Sequence, residues 1–158
     1  MSPRSSSSDF TERSAASLPV GPPMIGALLR RPLEVVRRRM LERLHESGFA
    51  DVEPAHLILL QYPGPQGMRP SELAAQLRMS KQAVNYLLGQ LERLGYLERQ
   101  QDPDDLRSKR IALTQRGTSM IPVIREAVSG VETTWAQQLG PERFAELRDL
   151  LAELNELV

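Results

Sequence analysis

The sequence contains no cysteine and only two histidines, which removes several kinds of chemistry at once. Without cysteine there are no structural disulfides, no thiolate metal ligands and no thiol that senses oxidants. His45 and His56 fall on different predicted helices with no ligand cluster around either, so we predict no metal site and no cofactor. No acid pair or phosphate-binding glycine loop can be placed beside a nucleophile, so we do not expect an enzyme.

Long apolar runs and an excess of charge are also missing. No run approaches the roughly 20 apolar residues of a membrane span, and the N-terminus lacks a hydrophobic signal region. We therefore expect a cytoplasmic protein without a membrane partner. Twenty basic and twenty acidic side chains cancel, so any DNA-binding prediction must depend on a local excess of charge. With 158 residues, 41% hydrophobic and 25% charged, the chain has the composition of one soluble domain with appended helices.

The segment from residue 69 to residue 117 is predicted to be a winged helix-turn-helix. Pro70 begins the first helix, because its fixed φ suits the first helical position. Arg78 lies in the turn, and Ser80 stands where the N-cap of the second helix belongs. This second helix is predicted from Lys81 to Leu94.

The second helix separates apolar residues from polar ones. Its apolar stripe consists of Val84, Leu87, Leu88, Leu91 and Leu94, and its opposite face consists of Lys81, Gln82, Asn85, Tyr86, Gly89 and Gln90. Amides such as Gln82 and Asn85 can bond bidentately to the adenine edge, and Gly89 lets the helix lie close to another surface. The polar face would fit a major groove, although a solvated outer face is the alternative for this helix alone.

A basic hairpin is predicted after Gly95. Strands over residues 96–100 and 109–113 flank a turn-forming loop over residues 102–107. Four cations and no acid follow the turn: Arg107, Lys109, Arg110 and Arg116. An arginine at the tip of a hairpin can reach phosphates or enter a minor groove, whose negative potential attracts guanidinium. The whole segment 69–117 holds nine cations and six anions, a modest excess.

These residues resemble the multiple-antibiotic-resistance repressor (MarR) family of dimeric transcription regulators. The match lies in Ser71–Ala74, the Ser80 cap, the run Leu91–Leu97, and the aspartate-x-arginine and leucine-threonine-x-x-glycine pair of residues 105–117. The resemblance implies a mainly α fold with a small β-hairpin wing, in which Arg107 enters the minor groove and Asp105 helps to hold it. The predicted DNA-contacting residues are Ser80, Lys81, Gln82, Asn85, Tyr86, Gln90, Asp105, Arg107, Lys109 and Arg110.

Three departures from the family pattern are visible. Leu106 stands where a second arginine is common, and Asn85-Tyr86 stand where threonine or serine with arginine is common, so the operator sequence stays open. Arg78 replaces the usual turn glycine and must adopt the left-handed conformation, which costs a non-glycine residue about 1 kcal/mol.

The chain is predicted to divide into four parts. Residues 1–22 form a serine- and proline-rich tail, expected to be flexible because it has few apolar groups. Residues 23–52 hold an N-terminal dimerisation helix, which Pro32 should kink or break into two helices. Residues 53–116 form the winged helix-turn-helix, and residues 117–158 form C-terminal dimerisation helices, the first of them bent at Pro122.

Apolar stripes on the terminal helices predict a homodimer. The stripe residues assigned to the interface are Ile25, Leu28, Leu29, Phe144, Leu147, Leu151 and Leu154. A second copy related by two-fold symmetry would cover them best. The alternative is that these helices fold back on their own core as a monomer, and the resemblance favours the dimer.

The leading functional hypothesis is a homodimeric transcription regulator, a repressor, that binds a pseudo-palindromic double-stranded DNA operator with half-sites about 10 base pairs apart. The resemblance implies release by a small aromatic or phenolic effector. The candidates for contact with it are His45, His56, Tyr62 and Trp135, with a structural role as the alternative for each. The competing hypothesis is a winged-helix module that binds protein rather than DNA, which the modest local charge favours.

Overall fold

The computed structural model describes residues 21–60, 67–103, 105 and 107–157. The helices in these ranges are α1 (Ile25–Glu46), α2 (Pro54–Leu60), α3 (Pro70–Gln76), α4 (Lys81–Arg93), α5 (Gln115–Leu139) and α6 (Pro141–Glu156), and the strands are β1 (Leu97–Gln101) and β2 (Lys109–Leu113). The mainly α fold with a hairpin wing is thereby confirmed. The predicted tail lies outside the described residues up to residue 20. None of the described helices is long and apolar enough to cross a membrane.

Local side-chain chemistry fixes where α4 and α5 begin. The Ser80 hydroxyl accepts the N–H of Ala83 at 3.1 Å, as an N-cap does. The Thr114 hydroxyl caps α5 by accepting the N–H of Gly117 at 3.0 Å, and it donates to the carbonyl of Gly95 at 2.6 Å. Arg78 has a φ of 51°, so it adopts the left-handed conformation that its position in the turn predicts.

Two expectations about element boundaries are corrected. Pro32 does not break the N-terminal segment, because α1 is continuous from Ile25 to Glu46. Proline removes only one backbone donor, and the C-terminal half of α1 buries Met40 and Leu44 in the core. The first strand begins at Leu97 rather than Tyr96, because the N–H of Tyr96 closes the end of α4 by bonding the carbonyl of Leu91 at 2.9 Å.

The core lies beneath α4 and joins the wing to the helices around it. Leu73 of α3, Leu88 of α4, Ile111 of β2 and Met120 of α5 are all fully buried. The two strands pair antiparallel in a register that runs from Leu97 opposite Leu113 to Gln101 opposite Lys109. Helix α4 and the hairpin are therefore held by the same core.

A polar junction links the end of α4, the loop before α2 and the start of α5. The hydroxyl of the fully buried Tyr96 donates to the carboxylate of Asp51. Arg116 binds the same carboxylate at 2.9 Å, donates to the carbonyl of Leu94, and has its guanidinium 4.3 Å from the centroid of the Tyr96 ring. Arg116, counted from the sequence among the cations after the wing turn, is thus a structural residue of α5.

Candidate nucleic-acid interface

Helix α4 presents the predicted polar face to solvent. Lys81, Gln82 and Asn85 are exposed, and the Tyr86 side chain is 66% exposed. The opposite stripe is buried in the core, and Val84, Leu88 and Leu91 have no exposed surface. The predicted partition holds for these residues, while Gly89, Gln90 and Leu94 are half-buried. An ammonium, two amides and a phenol therefore lie together on an open helix face.

Gln90 departs from that face. Its side chain is half-buried, with Oε1 3.2 Å from Nε2 of His56 and Nε2 3.3 Å from the hydroxyl of Tyr86. The Gln90 amide is therefore engaged within the protein on both sides. No spacing in the sequence indicates this contact, because His56 and Gln90 are 34 residues apart.

Asp105 orders the turn at the tip of the wing. One carboxylate oxygen accepts the backbone N–H of Arg107 at 3.0 Å, and the other accepts the hydroxyl of Ser108 at 2.6 Å. These two donors, the hydroxyl first, lower the pKa of Asp105 below its ordinary value. The resemblance predicted that Asp105 holds the guanidinium of Arg107, whereas the contact in the structure is to the Arg107 backbone. The Arg107 side chain is exposed and makes no ion pair with the described part of the chain.

A fully buried carboxylate joins the base of the wing to α3. Asp102 has no exposed surface, and Nε of Arg69 donates to it at 2.6 Å. Nε of Arg110 lies 3.5 Å from the same carboxylate oxygen. The hydrogen bond to Asp102 raises the pKa of Arg69. Arg110, predicted to contact DNA, therefore directs its guanidinium toward the base of the wing, and the Arg110 side chain is only 23% exposed.

A basic cleft of about 340 Å³ lies between the start of α3, the start of α4 and the hairpin. The residues that line it include Arg69, Ser71, Lys81, Asn85, Arg99 and Lys109. Arg99 pairs with Glu92 at 2.9 Å, whereas Lys81 and Lys109 form no ion pair with any described residue. Lys81, Asn85 and Lys109 were among the DNA-contacting residues predicted from the sequence. Arg69, Ser71 and Arg99 were not, because they lie on elements that only the tertiary fold brings together.

The four effector candidates do not converge on one site. Trp135 lines a cleft of about 410 Å³ between α1 and α5, together with Arg38 and Arg39. His56 is buried, and Nε2 of His45 lies 2.8 Å from the carbonyl of Val52, so neither histidine lines this cleft. Tyr62 lies outside the described residues.

The residues assigned to dimerisation differ in accessibility. Ile25, Leu28, Leu29, Leu147 and Leu154 are 40–65% exposed, and two residues not assigned from the sequence, Leu33 and Leu150, are also exposed. Leu151 is half-buried. Phe144 is buried within its own chain, with 9% of its surface exposed. The centroid of its ring lies 6.5 Å from the centroid of the Trp135 ring.

Comparisons with known proteins agree with this geometry. A MarR family model matches residues 50–108, which contain α2, α3, α4 and β1. Over these residues the chain is similar to the MarR family. A curated protein that the chain resembles is the uncharacterized HTH-type transcriptional regulator YkoM of Bacillus subtilis strain 168, which is 34% identical over 94 residues. That alignment covers 60% of this chain and 60% of YkoM.

Solved structures share the winged-helix fold along most of the chain. Transcriptional regulator Tm0710 from Thermotoga maritima is 29% identical, with a TM-score of 0.56, over 84% of this chain and 92% of its own. CouR from Rhodococcus jostii RHA1, solved with p-coumaroyl-CoA bound, is 23% identical, with a TM-score of 0.63, over 82% of this chain and 90% of its own. The similarity in fold therefore extends beyond the segment that the family model matches.

Proposed function

We propose that the protein is a homodimeric, sequence-specific DNA-binding transcriptional regulator, a repressor that a small-molecule ligand releases. The observation that carries the proposal is the open face of α4, where Lys81, Gln82 and Asn85 lie exposed beside the basic cleft. Amides supply bidentate contacts to base edges, and cations along the rim supply contacts to phosphates. The helix is 13 residues long, and a major groove admits a helix of this kind.

The disposition of the acids supports DNA over a protein partner. Asp102 is buried between two arginines, Asp105 caps the wing turn, and Glu92 pairs with Arg99. These three carboxylates are therefore occupied within the fold, while Lys81, Lys109 and Arg107 remain without an ion pair in the described residues. The modest charge excess of the sequence thus becomes a surface on which free cations face outward, as phosphate binding requires.

Two copies would place two such faces on one DNA duplex. The exposed apolar residues of α1 and α6 supply a surface that a second copy can cover by two-fold symmetry. Two recognition helices related in this way contact half-sites one helical turn apart, about 10 base pairs. This predicts a pseudo-palindromic operator.

The cleft between α1 and α5 is the proposed effector site. It is lined by Trp135 and two arginines, which suits a small aromatic or phenolic ligand that carries an acceptor group. CouR, which shares the fold, binds p-coumaroyl-CoA. Because Trp135 is the only tryptophan of the chain, its fluorescence should change on titration with such a ligand, and Arg39→Ala should weaken the response. A fluorescence response unchanged by Arg39→Ala would place the ligand elsewhere.

The salt dependence of binding tests the DNA proposal. Affinity for duplex DNA should fall with a log-log slope of about −0.9 per phosphate neutralised. Arg107→Ala should lower affinity and flatten the slope. Asp105→Ala should also lower affinity although it removes a negative charge, because the wing turn loses the carboxylate that accepts from Arg107 and Ser108. An Asp105→Ala protein that binds DNA more tightly would contradict the ordering role of Asp105. A parent without salt-dependent affinity would favour the protein-binding module instead.

A further inference from the structure

A chain of hydrogen bonds runs from α2 through the recognition helix to its outer face. It begins at His56, whose Nδ1 lies 3.1 Å from the backbone N–H of Glu53. Nε2 of His56 lies 3.2 Å from Oε1 of Gln90, and Nε2 of Gln90 lies 3.3 Å from the hydroxyl oxygen of Tyr86. His56 is 2% exposed and Tyr86 is 66% exposed, so the chain leads from the interior to the surface.

The backbone fixes the direction of this chain. A backbone N–H only donates, so Nδ1 of His56 must accept and carries no proton in this arrangement. The proton of the neutral imidazole is then on Nε2, which donates to Oε1 of Gln90. The amide group of Gln90 is left as a donor, and it donates to the hydroxyl of Tyr86.

A tyrosine hydroxyl that accepts one hydrogen bond still has its own proton to donate. Because Tyr86 accepts from Gln90, that proton is available to a group outside the protein. Tyr86 follows Asn85 and lies one turn after Gln82, so the donor faces the surface that holds the two exposed amides.

We propose that Tyr86 contacts DNA as a hydrogen-bond donor to an acceptor on a base edge in the major groove, and that His56 and Gln90 are positioning residues that set this polarity. The inference depends on the proposed DNA-binding function and names what one residue of that interface recognises. The acceptors available in the major groove are N7 and O6 of guanine, N7 of adenine and O4 of thymine, whereas cytosine presents only the N4 donor. Tyr86 should therefore discriminate against cytosine at the base that it faces.

The first test compares the parent with Tyr86→Phe on an operator selected from random DNA. Every base pair of one half-site is replaced in turn, and 7-deazaguanine and 7-deazaadenine are included to remove single N7 acceptors. We expect the parent to lose affinity roughly 3- to 10-fold at one position when the acceptor is removed, as for one hydrogen bond. Tyr86→Phe should be insensitive at that position, while Gln82→Ala, the control, should lose its preference at a different one.

The second test addresses the positioning residues through Gln90. Gln90→Ala should weaken the preference at the Tyr86 position, and it should add nothing there in a Tyr86→Phe background. Gln90→Glu should accept from both His56 and Tyr86, which turns the Tyr86 proton inward and leaves an acceptor outside. The preferred base should then change toward one that presents a donor, cytosine or adenine, beyond the uniform loss that an added negative charge causes.

The outcomes separate the two proposals. A Tyr86→Phe protein that loses affinity equally on all sequences would show a phosphate contact and would overturn the base contact. A Gln90→Glu protein with the base preference of the parent would overturn the positioning role. If the parent enriches no DNA sequence, the proposed function fails and this inference fails with it. If the base preferences of the operator are unchanged in Tyr86→Phe, Gln90→Ala and Gln90→Glu, only this inference is overturned.

Discussion

The winged-helix lobe and the terminal helices have similar amphipathic patterns, but their apolar stripes differ in burial. In the lobe, from α2 to β2, the apolar stripe is buried within one chain, and Leu73, Val84, Leu88 and Leu91 have no exposed surface. On the terminal helices the stripe stays open, and the residues that remain 40% exposed or more include Ile25, Leu28, Leu33, Leu147, Leu150 and Leu154. The apolar stripe of the lobe is covered within a single chain, whereas much of the stripe on the terminal helices is exposed.

The open stripe does not leave α6 without support. Phe144 packs its ring against Trp135 of α5, and Arg148 lies 3.7 Å from Glu132. The helix is therefore held at its first turns, while Leu147, Leu150 and Leu154 beyond Phe144 remain exposed. A large exposed apolar patch is typical of a protein interface. Because α1 and α6 both expose apolar residues, we favour a second copy of the chain as the partner.

The largest expected effect comes from placing charge on the open stripe. Leu147→Glu with Leu154→Glu should convert dimers to monomers, because both side chains are about 40% exposed in the single chain and would meet like charges across a two-fold axis. Sedimentation velocity measures the result. The matched control is Ala145→Glu with Ala152→Glu, two exposed sites on the other face of α6, which should stay dimeric. A dimer in both variants would show that α6 is not the interface.

The next effect is on the lobe itself, at the close approach of α5 to the wing. A Cβ at Gly117 would lie 2.2 Å from the carbonyl oxygen of Tyr96, so the backbone must shift. Gly117→Ala should lower the free energy of unfolding by about 1–3 kcal/mol, as overpacking does. Gly130→Ala is the control on the same helix, because its Cβ meets nothing within 4 Å, and it should stabilise by about 0.5–1 kcal/mol. Urea unfolding that ranks the two variants in the reverse order would contradict this packing.

Within the lobe, base contacts and phosphate contacts can be separated. Gln82→Ala and Asn85→Ala should each weaken operator binding by about 1–3 kcal/mol and leave binding to random DNA nearly unchanged. Lys81→Ala should weaken both to a similar degree and reduce the salt slope by about 1. Competition binding at several salt concentrations measures all three. Equal losses on operator and random DNA for Gln82→Ala and Asn85→Ala would show that this face does not contact bases.

The smallest effect concerns the junction between the lobe and the terminal helices. Burial alone would raise the pKa of Asp51, but hydrogen bonds from Tyr96 and Arg116 outweigh it and lower the pKa below its ordinary value. A carboxyl whose pKa is lower when folded stabilises the fold above its unfolded pKa, and this contribution is lost as pH falls through the folded pKa. Asp51→Asn should therefore be less stable than the parent at pH 7 and converge with it in acid.

Urea unfolding at a series of pH values measures that convergence. The control is Asp149→Asn on α6, since Asp149 is exposed and forms no ion pair with the described residues. The control should follow the parent at every pH. A constant difference between Asp51→Asn and the parent, from neutral pH into acid, would contradict the linkage to ionisation.

The sequence predicted those parts of the fold that short-range chemistry determines. The Ser80 cap and the spacing of the leucines predicted the first residue of α4 and placed its last residue one position too late. Both ends of β2 were predicted correctly. The partition of α4 into a buried stripe and a polar face followed from helical period alone. Of the two expectations for Pro32, the break into two helices was wrong, because α1 continues through Pro32 to Glu46.

The polar contacts of the candidate site depended on tertiary structure and could not be predicted. Nothing in the loop after β1 distinguishes the buried Asp102 from its acidic neighbours, since its burial results from Arg69, 33 residues earlier. His56 looked available to a ligand from the sequence, yet it is buried and bonded to Gln90. Spacing along one element predicts which face a residue occupies, but not which residue of another element it meets.

Selection of bound duplexes from a random DNA pool by the purified full-length protein tests the central claim most directly. The account predicts an enriched pseudo-palindrome, whose two inverted half-sites lie about 10 base pairs apart, because two complete DNA-binding lobes are joined through the terminal helices. An enriched single half-site would contradict the dimer, and a pool without any enriched sequence would contradict sequence-specific DNA binding.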